Sequence, residues 1–122
     1  MAQIDVEQDD FQLGTGLNAS GDINGDQIND LLVGAVSALE GLATKSGRTY
    51  LFYGRADTLS TLTMADQADV QIYGAAVKDY IGRTHAAADI NADGKADILI
   101  GGGYANVQGY VDVGSTFLFF GN

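Results

Sequence analysis

The chain has no cysteine, no proline, no tryptophan and one histidine, His85. Without cysteine there is no disulfide framework and no thiolate metal site. The redox compartment therefore cannot be read from the sequence. A lone histidine leaves few routes to general acid–base catalysis, and no Ser or Thr sits in a recognisable nucleophile setting. His85 reads as a packed residue on the first strand of a second unit. Basic residues are also scarce. Six Lys and Arg stand against 16 Asp and Glu, for a formal net charge of −10. Such a chain does not bind nucleic acid or an anionic membrane by charge. No apolar run reaches membrane-spanning length, so no membrane insertion is expected. No signal peptide is visible, because Met1 runs straight into the polar "AQIDVEQDD". Either the protein is intracellular or a targeting segment lies outside this sequence.

What is present suits a folded domain. Hydrophobic residues make up 46% of 122 positions, and charged residues only 18%. That balance excludes disorder by composition. Seventeen glycines without a proline suit tight turns between strands.

The dominant feature is an internal repeat. "DINGDQINDLLVGA" at 22–35 returns as "DINADGKADILIGG" at 89–102, and "GRTYLFYG" at 47–54 returns as "GSTFLFFG" at 114–121. Both blocks are displaced by 67 residues. Upstream, "LG" at 13–14 pairs with "IG" at 81–82, a displacement of 68, so one residue is inserted or lost between Gly14 and Asp22. Loops are where such changes are tolerated, and a loop is expected to absorb it.

Each unit reads as short strands: 15–20, 31–36 and 49–53 in the first, 83–88, 98–102 and 116–120 in the second, with 68–74 between them. Residues 55–67 have room for a turn of helix but lack a sustained helical period. A repeat of about four short strands is the sequence form of a β-propeller blade. The fold expected is all-β: two four-stranded blades, the first over about 13–74 and the second over about 81–121. The second lacks its fourth strand in sequence order. Because "AQIDVEQDDFQLG" at 2–14 resembles "ADVQIYGAAVKDYIG" at 68–82, residues 2–7 of a neighbouring chain are expected to supply it. Two blades cannot close a ring, so homo-oligomerisation is expected. A homotrimer would give six blades and a homotetramer eight.

The acidic loops admit three readings: a hairpin turn around Asn24-Gly25, a solvated acidic loop, or a calcium site. The second loop has Asn91-Ala92 in place of Asn-Gly, which weakens the first reading. Simple solvation does not explain the spacing. Calcium takes about six to eight oxygens from carboxylates, amides, carbonyls and water. Loop positions 1, 3, 5 and 9, with the carbonyl of position 7, give Asp22, Asn24, Asp26, Ile28 and Asp30. The second set is Asp89, Asn91, Asp93, Lys95 and Asp97. An EF-hand needs an acid at position 12, where this chain has Val33 and Ile100. Two calcium ions per chain are expected.

These residues resemble the FG-GAP repeat of integrin α-subunit propellers. The shared elements are "LG", "DINGDQIND", "LLVGA" and "RTYLFYG" in one unit, and "IG", "DINADGKAD", "ILIGG" and "STFLFFG" in the other. Gln27 replaces the glycine of position 6, which suggests a weaker first site than the second, where Gly94 stands. The resemblance implies a calcium-binding module of the extracellular space or cell surface, binding protein or glycan ligands and not an enzyme. The alternatives are a fragment or engineered duplication with no ligand of its own, or a non-catalytic part of a larger extracellular enzyme. Tyr104, Asn106, Gln108 and Tyr110, in the second unit's hairpin, are the candidate ligand-binding residues, with an ordinary polar hairpin as the rival reading. Gly101-Gly102-Gly103 is not followed by the Lys-Ser/Thr of a phosphate-binding loop.

Overall fold

The computed structural model describes residues 3–6, 12–37, 45–55 and 65–121. Among these residues, seven strands form two antiparallel sheets. The first sheet has the order β1 (Leu13–Gly21), β2 (Asp30–Ala35), β3 (Arg48–Phe52) and β4 (Val70–Tyr73). The second has β5 (Ile81–Ala88), β6 (Asp97–Gly102) and β7 (Ser115–Phe119). Sequence neighbours pair throughout, as a simple meander. Among the described residues the only helical element is one 3₁₀ turn, Ala65–Gln67. It falls in the stretch where a turn of helix was expected; residues 56–64 of that stretch lie outside the described residues.

The repeat is visible in the pairing register. Leu17 opposes Val33 and His85 opposes Ile100, while Leu32 opposes Leu51 and Leu99 opposes Leu118. The one-residue discrepancy between the units is resolved differently from expectation. It lies within β1, not in a loop. From Asn18 to Gly21 the first strand advances three residues while its partner advances two, from Leu32 to Asp30. The equivalent part of β5 pairs without a break. The extra residue is a β-bulge, and Asn18 holds it: its Oδ1 accepts from the Ser20 N–H at 3.2 Å and the Ser20 hydroxyl at 3.1 Å. A bulge at a strand end admits an insertion without moving the inward-facing set to the wrong side.

Alternation on β2 and β3 gives the first sheet two buried faces. Val33, Tyr50 and Phe52 form one cluster with Ala65, and Ile4 and Val6 pack on it. Leu32 and Leu51 face the other way, into a cluster with Ile81, Ile98 and Ile100 of the second sheet. The N-terminal segment is thus placed on its own chain's first sheet, where the Asp5 carbonyl accepts the Ala65 N–H at 2.8 Å. It was expected on β7 of a neighbouring chain. Among the described residues, β7 pairs only with β6. The second sheet therefore has three strands.

The sheets approach through glycine. A Cβ on Gly34 would lie 1.7 Å from the Gly82 carbonyl oxygen, and one on Gly16 would lie 2.4 Å from it. Gly82 itself has φ +90°, and a Cβ there would meet the Arg48 carbonyl oxygen at 2.4 Å. Next to this seam, Ile81 donates its N–H to the Ser46 carbonyl at 3.1 Å and bridges to Gly47. His85 lies over the same glycines. Its Nε2 pairs with Thr49 Oγ1 at 2.9 Å, and its Nδ1 is buried without a partner. A protonated ring would need acceptors for two N–H groups and has one. Burial accordingly holds the His85 pKa down at about 4.

Two outcomes follow. Gly34→Ala should abolish or severely weaken folding, by more than about 4 kcal/mol, because the Gly82 backbone and the His85 ring stand where the new methyl would be. Gly103→Ala, with nothing within 4 Å of its Cβ position, should be near neutral. Thermal melts of both variants check this. For His85 the folded-state pKa lies below the unfolded one. Its contribution is complete above about pH 6.5 and is lost as pH falls towards 4. Melting temperatures between pH 5 and 7 should therefore slope in the wild type and flatten in His85→Gln. An unchanged slope would show that His85 is not the group responsible.

Candidate metal centre

The two acidic loops connect the first and second strands of each sheet and fold alike. In the first, Asp22 Oδ1 accepts the Asp26 N–H at 3.0 Å and Oδ2 the Gln27 N–H at 2.7 Å. Asn24 Oδ1 accepts the Asp26 N–H, and Asp26 Oδ1 the Ile28 N–H. In the second, Asp89 accepts from Asp93 and Gly94, Asn91 Oδ1 from Asp93, and Asp93 Oδ1 from Lys95. Short polar side chains capturing amides a few residues ahead explain the turns without any partner outside the loop. The loops also lie side by side. The Asp22 carbonyl accepts the Ala96 N–H at 2.7 Å, and Lys95 passes close to Gly25.

Position 9 differs from the others. Asp30 and Asp97 are buried, whereas Asp22, Asp26, Asp89 and Asp93 lie at or near the surface. Asp30 accepts the Ile23 N–H at 2.7 Å and the Gly54 N–H at 2.8 Å. Asp97 accepts the Ile90, Asn91 and Gly121 N–H groups at 2.9, 3.3 and 2.9 Å. Each thus ties the start of its loop to the chain leaving the third strand. Sequence reasoning missed this role. The available signal was the glycine that closes "LFYG" and "LFFG", placed 24 residues after each aspartate. The Asp97 pKa is lowered, first by the hydrogen bond from Gly121, against a desolvation that raises it, and then by those from Ile90 and Asn91.

The backbone revises the ranking of the loops. Each loop needs a left-handed conformation at two places, positions 4 and 6. The first has Gly25 at φ +81° and Gln27 at φ +71°; the second has Ala92 at φ +62° and Gly94 at φ +89°. Each loop therefore has one glycine and one strained residue. Gln27 does occupy the conformation that glycine favours, but Ala92 does the same in the second loop. Backbone strain does not make the first site the weaker one.

The donor set is oxygen throughout, which fits a hard cation. An ionised carboxylate has about four lone-pair sites, and the loop amides use only part of that capacity in Asp22, Asp26, Asp89 and Asp93. Among the described residues, no three Asp, Glu or His side chains converge as a ready-made metal-ligand group.

The candidate ligand-binding hairpin is only partly available for contacts. Val107 and Tyr110 exchange backbone hydrogen bonds at 3.1 and 2.9 Å around Gln108-Gly109, both with positive φ. That is the geometry of a tight two-residue turn. Asn106 Oδ1 is committed to the Asp112 N–H at 2.8 Å. Tyr104 stacks edge-on against Tyr80, with centroids 5.6 Å apart. Tyr110 is 70% exposed, against 47% for Tyr104.

Residues 82–115 match the family model for the FG-GAP repeat. That span begins at the seam glycine, crosses the second acidic loop and ends at the start of β7, so the expected repeat is found in the second unit. No curated protein matches the chain. The match, together with two all-antiparallel sheets, supports an integrin-like β-propeller character. No helix among the described residues is long and apolar enough to cross a membrane.

Gln27→Gly and Ala92→Gly should each stabilise the protein, by about 1 kcal/mol, through relief of a left-handed side-chain conformation. Asp30→Ala should destabilise it by about 3 kcal/mol, since two amides lose a charged acceptor in a buried place. Chemical denaturation measures all three. Equal and opposite effects of the two glycine substitutions would refute the shared-strain account.

Proposed function

We propose that this chain is a calcium-stabilised, integrin-like β-propeller module that serves as a binding or scaffold domain and not as an enzyme. The observation that supports this best is the folding of two oxygen-rich loops, 67 residues apart, into one hydrogen-bonded form. Asp22, Asn24, Asp26, the Ile28 carbonyl and Asp30 would hold one ion. Asp89, Asn91, Asp93, the Lys95 carbonyl and Asp97 would hold the other. Two divalent ions would bring the formal net charge from −10 to −6. They would also relieve repulsion between neighbouring carboxylates that the loop amides offset only in part.

The module self-assembles in this reading, three or four copies building a ring of six or eight blades. Residues 2–7 can complete a neighbour's second sheet only by leaving Ala65 of their own chain. The extracellular space or the cell surface supplies the millimolar calcium that such loops suit. Tyr110 and Tyr104 offer the aromatic surface for a protein or glycan ligand.

Calorimetric titration of the chelator-treated protein with calcium should give two equivalents per chain. The melting temperature should rise with calcium, by an amount equivalent to about 2.7 kcal/mol at a hundredfold excess over Kd. Asp22→Asn combined with Asp89→Asn should remove the heat while leaving the apo protein folded. No heat, and identical melting in chelator and in calcium, would overturn the calcium reading.

A further inference from the structure

The second sheet presents, on its outer face, a vacant copy of the site that holds the seam on the first sheet. On the first sheet, Ile81 and Gly82 are received by Ser46, Gly47, Gly16 and Gly34, and His85 lies over Gly16, Gly34 and Thr49. The repeat carries these receiving positions to Val113, Gly114, Thr84, Gly101 and Thr116. All five line one open depression of about 450 Å³ that also includes Arg83. Its backbone is preset in the same way, with Gly114 at φ +78° against Gly47 at +82°.

The inserting element also has a second copy, in which Leu13 packs on its own first-sheet cluster while Gly14 and Leu17 stay open. Leu13-Gly14 is the counterpart of Ile81-Gly82, and Leu17 is the counterpart of His85. Gly14 has φ +86° against +90° for Gly82, with nothing within 4 Å of its Cβ position. Leu17 is 65% exposed. It opposes Val33, whose side chain belongs to the cluster turned away from the second sheet. Socket and insert thus lie on opposite faces of one chain. Apolar residues next to the socket are uncovered where their first-sheet counterparts are not: Leu118 is 43% exposed and Leu51 2%.

Resting on the self-assembly reading above, we propose that Gly14 and Leu17 of one copy dock into the Thr84–Gly101–Gly114–Thr116 socket of a second copy. The occupant is the same chain because the insert it carries matches the one already seated within the molecule. The contact is head to tail, so each added copy leaves one socket and one insert free until a ring closes. Leu17 replaces a histidine that buries an unpartnered nitrogen, and it covers the cup without that cost. Thr84 sets the limit. Its counterpart is Gly16, where a Cβ would meet the inserted carbonyl at 2.4 Å. The incoming Gly14 therefore sits farther out than Gly82 does, and this contact is weaker than the one within the chain.

Sedimentation across a concentration series tests this in the intact chain. The wild type should associate beyond 12.7 kDa. Leu17→Asp should weaken association at least about tenfold, and Thr84→Gly should strengthen it by about as much. The cysteine-free background adds a direct readout. Leu17→Cys combined with Thr116→Cys should give intermolecular disulfides on oxidation, resolved as a ladder or a closed species on a non-reducing gel. Oligomers that form equally well with Leu17→Asp, and without the disulfide, would overturn the docking proposal while leaving assembly through residues 2–7 standing. A wild type that stays monomeric at every concentration would overturn both. Calcium titration heats report the loops independently of either result.

Discussion

The molecule depends on one close approach of backbone to backbone. The Gly82 carbonyl stands where side chains on Gly34 and Gly16 would be. Three glycines therefore allow two sheets to meet at a distance no other residues permit. That meeting buries Leu32 and Leu51 against Ile81, Ile98 and Ile100. It also brings His85 over Thr49 and sets the two acidic loops side by side. A glycine in the interior of a strand weakens that strand. Here the loss is local, and what is gained is the whole interface between the sheets.

The acidic loops combine two tasks in nine residues. The outer side chains of Asp22, Asn24, Asp26 and their counterparts shape the turn by accepting its amides. The last aspartate turns inward and holds the departing third strand through Gly54 or Gly121. Asp30 and Asp97 are thus buried charges satisfied by several N–H donors, the condition under which burial of a carboxylate is tolerable. The loops stay acidic at the surface while being fastened at the base. A cation, where bound, would act on a loop whose turn is already formed.

The two units show how context changes the fate of one pattern. "TYLF" and "TFLF" share their apolar spacing, yet Phe52 is fully buried and Phe119 is 40% exposed. The first sheet has a fourth strand, an N-terminal segment and a neighbouring sheet to cover it. Among the described residues, the second is covered only on the face it shares with the first. Burial is a property of what lies opposite, and apolar spacing records only that a strand is suited to be covered.

Much of the architecture was legible in the residues alone. The 67-residue repeat located six strands to within two residues of their ends and placed both loops between strands. Period-two alternation and turn residues act locally, so they survive in the sequence. Composition likewise determined a folded, acidic, cysteine-free domain. Other features arose only when segments distant in sequence met. The extra residue went into a bulge of β1, where the Asn18 side chain accepts from Ser20 two residues on. His85 became a neutral, half-buried ring because the second sheet lies on the glycines of the first. Ala92 took a left-handed conformation because the side chains of Asp89, Asn91 and Asp93 fold the loop around it. Ile4 and Val6 settled on their own sheet because Val33, Tyr50 and Phe52 present an apolar face there. Propensity is written residue by residue, whereas close approach, burial and protonation depend on which surfaces come to face one another, and only the tertiary structure decides that.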